Sequence, residues 1–227
     1  MQSDISSLKL NQYIDHTLLK PEAQQAQIEK LCAEALEHQF FSVCVNSSYV
    51  QLCADLLKKS NVKVCAVVGF PLGMMDTVSK AFETESCVRY GASEIDMVIN
   101  VGALKDRRID FVREDIAAVV RAARGRTVKV IIETALLTEE EKVLACKLSQ
   151  EAGAHFAKTS TGFNGGGATV ADVKLMKNSM KPSMFVKASG GIKDVTQALA
   201  LIEAGASRLG TSSGVALVKG LKAEGGY

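Results

Sequence analysis

The sequence predicts an α/β fold: a single (β/α)8 TIM barrel that spans residues 1–227 as one domain. Short apolar runs alternate with longer amphipathic runs from one end to the other, as in repeated β/α units. Eight such units in 227 residues give about 28 residues each, which suits a compact barrel. Polar residues or glycine close almost every apolar run, and a barrel gathers all eight strand ends around one mouth.

The predicted strands are dense in Val, Ile and Ala with little polar alternation, which is typical of parallel strands buried on both faces. They are Tyr13–Leu18, Phe41–Val45, Val62–Val68, Glu94–Asn100, Val128–Glu133, His155–Ser160, Met184–Ser189 and Arg208–Thr211. An open, doubly wound sheet is the alternative, but it would concentrate its site in one crevice rather than at all eight strand ends.

Helical runs between the strands carry start and stop signals. Pro21 suits the first turn of a helix that continues to His38. Polar residues that precede helical runs are expected to be N-caps: Asp76, Asp106, Thr138 (in a capping box) and Asp194. Three related segments place glycine between a helix end and a strand, where glycine takes the left-handed conformation easily: Gly91, Gly153 and Gly205.

Composition excludes several classes of protein. With 47% apolar and 23% charged residues, the chain matches a globular protein rather than a disordered or collagen-like one. A net charge of +2 gives no electrostatic reason to expect nucleic acid or a membrane surface as a partner. No apolar run reaches the roughly 18 residues of a membrane helix, and the first residues lack the apolar centre of a signal peptide.

The cysteines and histidines show no metal-ligand spacing. Six cysteines are scattered without a C-x-x-C pair, and the three histidines share no common motif, so no metal is expected. Without an export signal, the cysteines are interpreted as reduced core residues of a cytoplasmic protein. Cys44 could alternatively face the mouth as a reactive thiol, although a buried thiol is the simpler interpretation.

Two lysines are the strongest chemical signal. Lys158 and Lys187 lie within apolar runs of similar sequence on consecutive predicted strands, where an unpaired ammonium is costly to bury. Neighbouring strands should bring the two side chains together at the mouth. Repulsion and desolvation both lower the pKa of a lysine, and an unprotonated lysine is the nucleophile that forms a Schiff base with a carbonyl. Alternatively, each lysine is an ordinary ion-paired residue.

Two acids are also embedded in apolar strands. Asp96 and Asp15 would partner inward-facing lysines and could exchange protons with a lysine or with water. The alternative is that either acid bridges to a helix on the outside of the barrel.

Glycine- and serine-rich segments end three late strands. Loops after late barrel strands often bind phosphate through backbone N–H groups, and three such segments in succession favour a phosphate site. The segments are Thr159–Gly162, Ser189–Ile192 and Gly210–Ser213, and Gly165–Gly167 is either an adjustable loop over the site or a plain surface turn.

Six segments together resemble the deoxyribose-phosphate aldolases, Schiff-base aldolases on a TIM barrel. The resemblance covers essentially the whole chain, and its most specific parts are Lys158-Thr-Ser-Thr-Gly162 and Lys187-Ala-Ser-Gly-Gly191. The other segments are Ile14–Pro21, Val68–Gly73, Glu94–Asn100 and Arg208–Ser213.

The resemblance implies a role for each matching residue. Lys158 would form the Schiff base, and Lys187 would be a second lysine that activates Lys158. Asp96 would shuttle protons, with Asp15 as a supporting acid. Phosphate contacts would fall on Gly162, Gly190, Gly191, Ser212 and Ser213. Some members of the family have a lysine after Thr-Ser-Thr-Gly, and this chain has Phe163 there, so phosphate selection would depend more on N–H groups and hydroxyls.

The reaction that the resemblance implies is reversible cleavage of 2-deoxy-D-ribose 5-phosphate to glyceraldehyde 3-phosphate and acetaldehyde, without a cofactor or metal. Two rivals remain: another phosphosugar enzyme on the same barrel, such as an isomerase, and a barrel that binds a phosphorylated ligand without turnover. The oligomeric state stays open, with a homodimer as one alternative. Tyr227, which follows two glycines, is either a frayed end or a hydroxyl that folds over the mouth.

Overall fold

The computed structural model describes residues 8–222. Eight parallel strands close into a barrel in chain order, and β1 pairs with both β2 and β8. The strands are β1 (Ile14–Leu18), β2 (Ser42–Val45), β3 (Lys63–Val68), β4 (Glu94–Val98), β5 (Thr127–Ile131), β6 (Phe156–Lys158), β7 (Phe185–Ser189) and β8 (Ala206–Thr211). The predicted (β/α)8 TIM barrel is confirmed, and the eight predicted strands overlap these eight.

Helices connect the strands on the outside of the barrel. They are α1 (Gln25–Glu37), α2 (Val50–Leu57), α3 (Thr77–Arg89), α4 (Val101–Lys105), α5 (Ile109–Ala122), α6 (Glu139–Glu151), α7 (Val170–Ser179), α8 (Val195–Glu203) and α9 (Gly214–Val218). Each long helix turns an apolar stripe towards the strands, as α1 does with Ile28, Leu31, Cys32 and Ala35. The short α4 is an addition between β4 and α5.

Several predicted helix boundaries are confirmed. Thr138 and Glu141 form the expected capping box of α6. The carboxylates of Asp76 and Asp194 accept hydrogen bonds from backbone N–H groups in the first turns of α3 and α8. The three glycines predicted after helix ends all have positive φ: Gly91, Gly153 and Gly205.

Two predicted boundaries are wrong. Asp106 ends α4 instead of capping a longer helix, because Arg107 takes a left-handed conformation (φ 58°) and α5 begins at Ile109. Pro21 lies in a turn before α1, which begins at Gln25 behind a capping box.

The side chains on the two faces of the sheet differ in polarity. Side chains alternate along a strand, so Ile95 and Met97 pack outwards in the apolar layer between strands and helices, while Asp96 points into the barrel. All six cysteines are buried and free, as predicted. None of the helices within residues 8–222 has the length and apolar character of a membrane-crossing segment.

A buried ion pair joins two outer helices. Lys80 of α3 contacts Asp115 of α5 at 2.6 Å and donates to the carbonyl of Val98 at 3.0 Å. Asp115 also accepts a hydrogen bond from Thr77 at 2.9 Å. Both charged side chains are almost fully buried, so each needs the opposite charge of the other to offset its loss of hydration.

We expect Lys80→Met to lower the free energy of unfolding by about 3–5 kcal/mol, because it leaves a carboxylate buried without its cation. The double variant Lys80→Met/Asp115→Leu removes both charges and should recover most of that loss. Urea denaturation measures both effects. As a control, Arg121→Ala breaks the exposed Arg121–Glu114 pair and should cost at most about 1 kcal/mol. Equal losses of unfolding free energy in Lys80→Met and Arg121→Ala would contradict the conclusion that Lys80 and Asp115 depend on each other.

Candidate active site

The two lysines singled out by the sequence meet inside the barrel. Lys158 and Lys187 are register partners on β6 and β7, and both side chains are buried. Their ammonium groups contact the same oxygen, Oδ2 of Asp96, at 2.8 Å and 2.7 Å. The predicted approach of the two lysines to each other and to Asp96 is therefore observed.

Asp15 also points into the barrel, which rules out the alternative of a bridge to an outer helix. Its Oδ2 lies 2.5 Å from Lys187 Nζ, and its Oδ1 accepts hydrogen bonds from Ser42 at 2.7 Å and from Arg208 Nε at 2.8 Å. Lys187 is thus held between two carboxylates, those of Asp15 and Asp96.

Space for the Lys187 side chain comes from a glycine on the next strand. A Cβ at Gly210 of β8 would lie 3.0 Å from Lys187 Cε and 2.9 Å from Ser189 Cβ. A larger residue at this position would push Lys187 away from its two carboxylates.

Six inward-facing charges form a closed cycle, here called the ion-pair ring, in which cations and carboxylates alternate. Its members are Lys187, Asp15, Arg208, Glu94, Lys129 and Asp96. Arg208 contacts Asp15 and lies 3.0 Å from Glu94, Glu94 lies 2.6 Å from Lys129, and Lys129 lies 2.8 Å from Asp96. With three cations and three carboxylates, the ring is neutral, and Lys158 is attached to it through Asp96.

The ring holds Asp96 and Lys187 in their charged forms. Burial raises the pKa of Asp96, but the ammonium groups of Lys129, Lys158 and Lys187 outweigh it and hold that pKa well below the usual range. Burial likewise opposes the charge on Lys187, yet Asp15 and Asp96 raise its pKa well above the usual value. Lys187 is therefore a cation and Asp96 an anion at neutral pH.

A cavity opens at the carboxyl ends of the strands, above Lys158. Four of the predicted phosphate residues line it, and Gly162 follows the lining residue Thr161 without lining the cavity itself. The lining residues are Thr17, Leu19, Lys158, Thr161, Ser189, Gly190, Gly191, Ile192, Lys193, Gly210, Thr211, Ser212 and Ser213. Ser213 N–H already donates to Thr211 Oγ1, so this N–H group is engaged within the protein.

Sequence reasoning missed three members of the ring. Lys129 interrupts an apolar strand just as Lys158 and Lys187 do, so the same signal could have identified it. Glu94 and Arg208 stand near strand starts, where a charged residue looks like an ordinary surface group, and their burial shows only in the folded barrel.

Lys193 is a further cationic residue that the sequence reasoning missed. Phe163, which follows the Thr-Ser-Thr-Gly segment, packs edge-on against Phe70 with ring centres 5.2 Å apart. Lys193, from the loop after β7, lines the cavity instead. The cavity therefore has a cationic wall, supplied by a different loop.

Glu133 fixes the loop after β6. It is fully buried in a left-handed conformation (φ 58°), which is uncommon for a residue with a side chain. Its carboxylate accepts hydrogen bonds from the N–H and hydroxyl of Thr161 and from Asn164 Nδ2 at 2.9 Å. Thr161 is thereby held in the cavity wall, close in sequence to Lys158.

A group of potential metal ligands lies beside the ring. Cys44, Cys65 and Asp96 place their ligand atoms within 4.8 Å of one another. However, Asp96 already contacts three ammonium groups, and Cys65 Sγ lies 3.4 Å from Lys129 Nζ. A divalent cation would have to displace these positive charges, so the surroundings disfavour it. Cys44 is buried, as expected, and Tyr227 lies outside the described residues.

Comparison with known proteins agrees with this geometry. The model of the DeoC/LacD family aldolases matches residues 9–220. The deoxyribose-phosphate aldolase of Bdellovibrio bacteriovorus is 70% identical over 97% of this chain and 100% of that protein. The one from Streptococcus suis is 60% identical over the same shares. The solved structure of an Aeropyrum pernix deoxyribose phosphate aldolase, described as tetrameric, superposes with a TM-score of 0.87 at 34% identity, covering 92% of this chain and 89% of that one. The chain belongs to the DeoC/LacD family of aldolases.

Proposed function

We propose that this chain reversibly cleaves 2-deoxy-D-ribose 5-phosphate to D-glyceraldehyde 3-phosphate and acetaldehyde through a Schiff base on Lys158. Relatives of the same family that carry the name deoxyribose-phosphate aldolase, at up to 70% identity over nearly the full chain, support this reaction. One structural observation supports the choice of lysine: of the three described lysines that contact Asp96, Lys158 is the one that lines the cavity.

Charge balance favours the same lysine. The interior cluster has four cations, because Lys158 adds one to the neutral ion-pair ring, against three carboxylates. When Lys158 loses its proton, every ion pair of the ring remains, whereas loss of a proton from Lys187 or Lys129 would break two of the ring's ion pairs. Lys158 is therefore the lysine that reacts as a neutral amine, the form needed to attack a carbonyl.

The chemistry begins when the Lys158 amine adds to the aldehyde carbon of the open-chain sugar and the resulting carbinolamine loses water. The protonated imine then acts as an electron sink. Removal of the proton from the C3 hydroxyl breaks the C2–C3 bond, the electron pair moves to the imine nitrogen, and glyceraldehyde 3-phosphate leaves. The remaining enamine takes a proton at C2, and water hydrolyses the imine to release acetaldehyde and the free amine.

Asp96 and Lys187 have complementary parts in these proton transfers. Asp96 is ionised and 2.8 Å from Lys158 Nζ, so it is placed to accept a proton and return it. Lys187 shares the same carboxylate oxygen and supplies a cation that disfavours a second positive charge on Lys158. Asp15 acts by holding Lys187 in place.

The phosphate of the sugar would lie in the cavity wall formed by the late loops. Backbone N–H groups near Gly190, Gly191 and Gly162, with the hydroxyls of Ser212 and Ser213, are suited to a dianion. Lys193 adds the positive charge that Phe163 does not provide. The substrate partner is thus a phosphorylated sugar.

We further propose that the reaction needs no cofactor and that the protein is cytoplasmic. We also propose that the chain self-associates, with a homodimer as the simplest assembly. Six buried free thiols support a reducing compartment. An isomerase or a non-catalytic binding barrel would give no acetaldehyde from 2-deoxyribose 5-phosphate, so detection of that product separates the candidates.

Lys158→Ala should abolish trapping of acetaldehyde by borohydride at every pH, because no amine remains at that point. Lys187→Met keeps the nucleophile but removes the neighbouring cation, so protonation of Lys158 becomes easier. Trapping by Lys187→Met should fail near neutral pH and recover in alkaline solution. Peptide mass mapping locates the adduct.

The matched control is Lys80→Met/Asp115→Leu, which removes a buried lysine outside the barrel interior and should trap acetaldehyde like the unmodified protein. An adduct on Lys187 in the unmodified protein would overturn the assignment of the nucleophile.

Lys193→Met should raise the KM for 2-deoxyribose 5-phosphate about tenfold, the equivalent of about 1.4 kcal/mol, because a cation facing the phosphate is lost. Ser212→Asp should raise it through charge repulsion. Cleavage of unphosphorylated 2-deoxyribose should change much less in both variants. Lys63→Met, at the opposite end of the barrel, is the control. Equal losses with both sugars would show that these residues do not face the phosphate.

A further inference from the structure

We propose that Glu94 and Arg208, which lie away from the cavity, are positioning residues that set the pH range in which Lys158 reacts with carbonyl compounds. The inference rests on the proposed function and extends it to residues that touch neither substrate nor Lys158. They act through the ion-pair ring, by fixing both its geometry and its net charge.

Glu94 and Arg208 lie one layer below the reacting groups. Glu94 precedes Asp96 by two residues on β4, and Arg208 precedes Gly210 by two residues on β8, so each points into the barrel on the side of the strand starts. Neither lines the cavity at the mouth, and Glu94 lines a depression at the opposite end of the barrel. Any influence on Lys158 therefore passes through other side chains.

Arg208 makes more extensive contacts than Glu94. Its guanidinium contacts both oxygens of Glu94, at 3.2 Å and 3.0 Å, and donates from Nε to Asp15 at 2.8 Å. It lies over the ring of Phe41, with Cζ 3.5 Å from the ring centre. This fixes Asp15, which in turn holds Lys187.

Glu94 completes the other half of the ring. Its carboxylate lies 2.6 Å from Lys129 Nζ, and Lys129 contacts Asp96 Oδ1 at 2.8 Å. Asp96 contacts Lys158 with its other oxygen. The Glu94–Arg208 pair thus closes the ring between the two carboxylates that control Lys187 and Lys158.

Inside the barrel, buried charged or titratable groups stand on all seven of the strands other than that of Lys158. The groups are Asp15 (β1), Cys44 (β2), Cys65 (β3), Glu94 and Asp96 (β4), Lys129 (β5), Lys187 (β7) and Arg208 (β8). In such a poorly solvated cluster, one unit of charge added or removed at the lower layer is weakly screened at Lys158. Loss of the Glu94 charge makes the cluster more positive and protonation of Lys158 less favourable, and loss of the Arg208 charge does the reverse.

The test is the pH dependence of acetaldehyde trapping by cyanoborohydride, with peptide mass mapping of the adduct on Lys158. Glu94→Gln should move the acidic limb of the trapping rate to lower pH by about one unit, and Arg208→Gln should move it to higher pH by about one unit. The double variant Glu94→Gln/Arg208→Gln restores the net charge and should return the limb to within roughly 0.3 units of the unmodified protein.

Lys80→Met and Asp115→Asn are the matched controls, because they disturb a buried ion pair of the same kind outside the barrel interior. They should lower stability and leave the acidic limb in place. A merely structural role for Glu94 and Arg208 would give the same result as these controls.

Unmoved limbs, or shifts of the same sign in both single variants, would overturn the inference. Where Arg208→Gln fails to fold, Glu94→Gln alone decides: a downward shift supports the inference, and no shift or an upward shift overturns it. Failure of the proposed function is a separate result, since the unmodified protein would then form no adduct on Lys158 at any pH.

Discussion

The structure depends on mutual neutralisation of charges that are buried inside the barrel. Moving a single ion from water into a protein interior costs several kcal/mol even after relaxation, and an ion pair offsets this only with good geometry. The ion-pair ring meets that condition by giving each cation two carboxylates and each carboxylate at least two cations. The ring can close only because the barrel closes, since Arg208 on β8 reaches Asp15 across the junction with β1. The fold and the site therefore depend on each other, because a strand out of register would leave buried charges without their ion-pair partners.

The same constraint explains how two lysines in almost identical local sequences differ. Lys187 contributes to the ring and is held as a cation between Asp15 and Asp96, whereas Lys158 is bound to the ring at a single point and borders the cavity. Nothing in the residues adjacent to either lysine makes this distinction. It arises because β8 brings a glycine, Gly210, next to Lys187 and β1 brings a carboxylate. The different roles of Lys158 and Lys187 are therefore set by residues on the neighbouring strands.

Much of the fold and part of the site could be predicted from sequence because their signals are local. Alternating apolar runs predict the barrel, and charges embedded in such runs predict Lys158, Lys187, Asp96 and Asp15 as members of one cluster. The pairing within the cluster could not be predicted, because partners such as Arg208 and Asp15 lie 193 residues apart and meet only through barrel closure. Asp106 shows the opposite failure: a good local cap signal was overridden by the left-handed Arg107 beside it.

The loops are under weaker constraints than the ring. A loop cation faces solvent on one side, so its position is less restricted than that of a buried ring member, and here Lys193 lines the cavity while Phe163 packs on Phe70. A loop must nevertheless present its backbone accurately if N–H groups are to bind a ligand. Glu133 supplies that accuracy, since its buried carboxylate holds Thr161 and Asn164 at the expense of a left-handed backbone. The strands therefore determine which lysine reacts, and an anchor at the end of β5 determines where the neighbouring loop can receive a substrate.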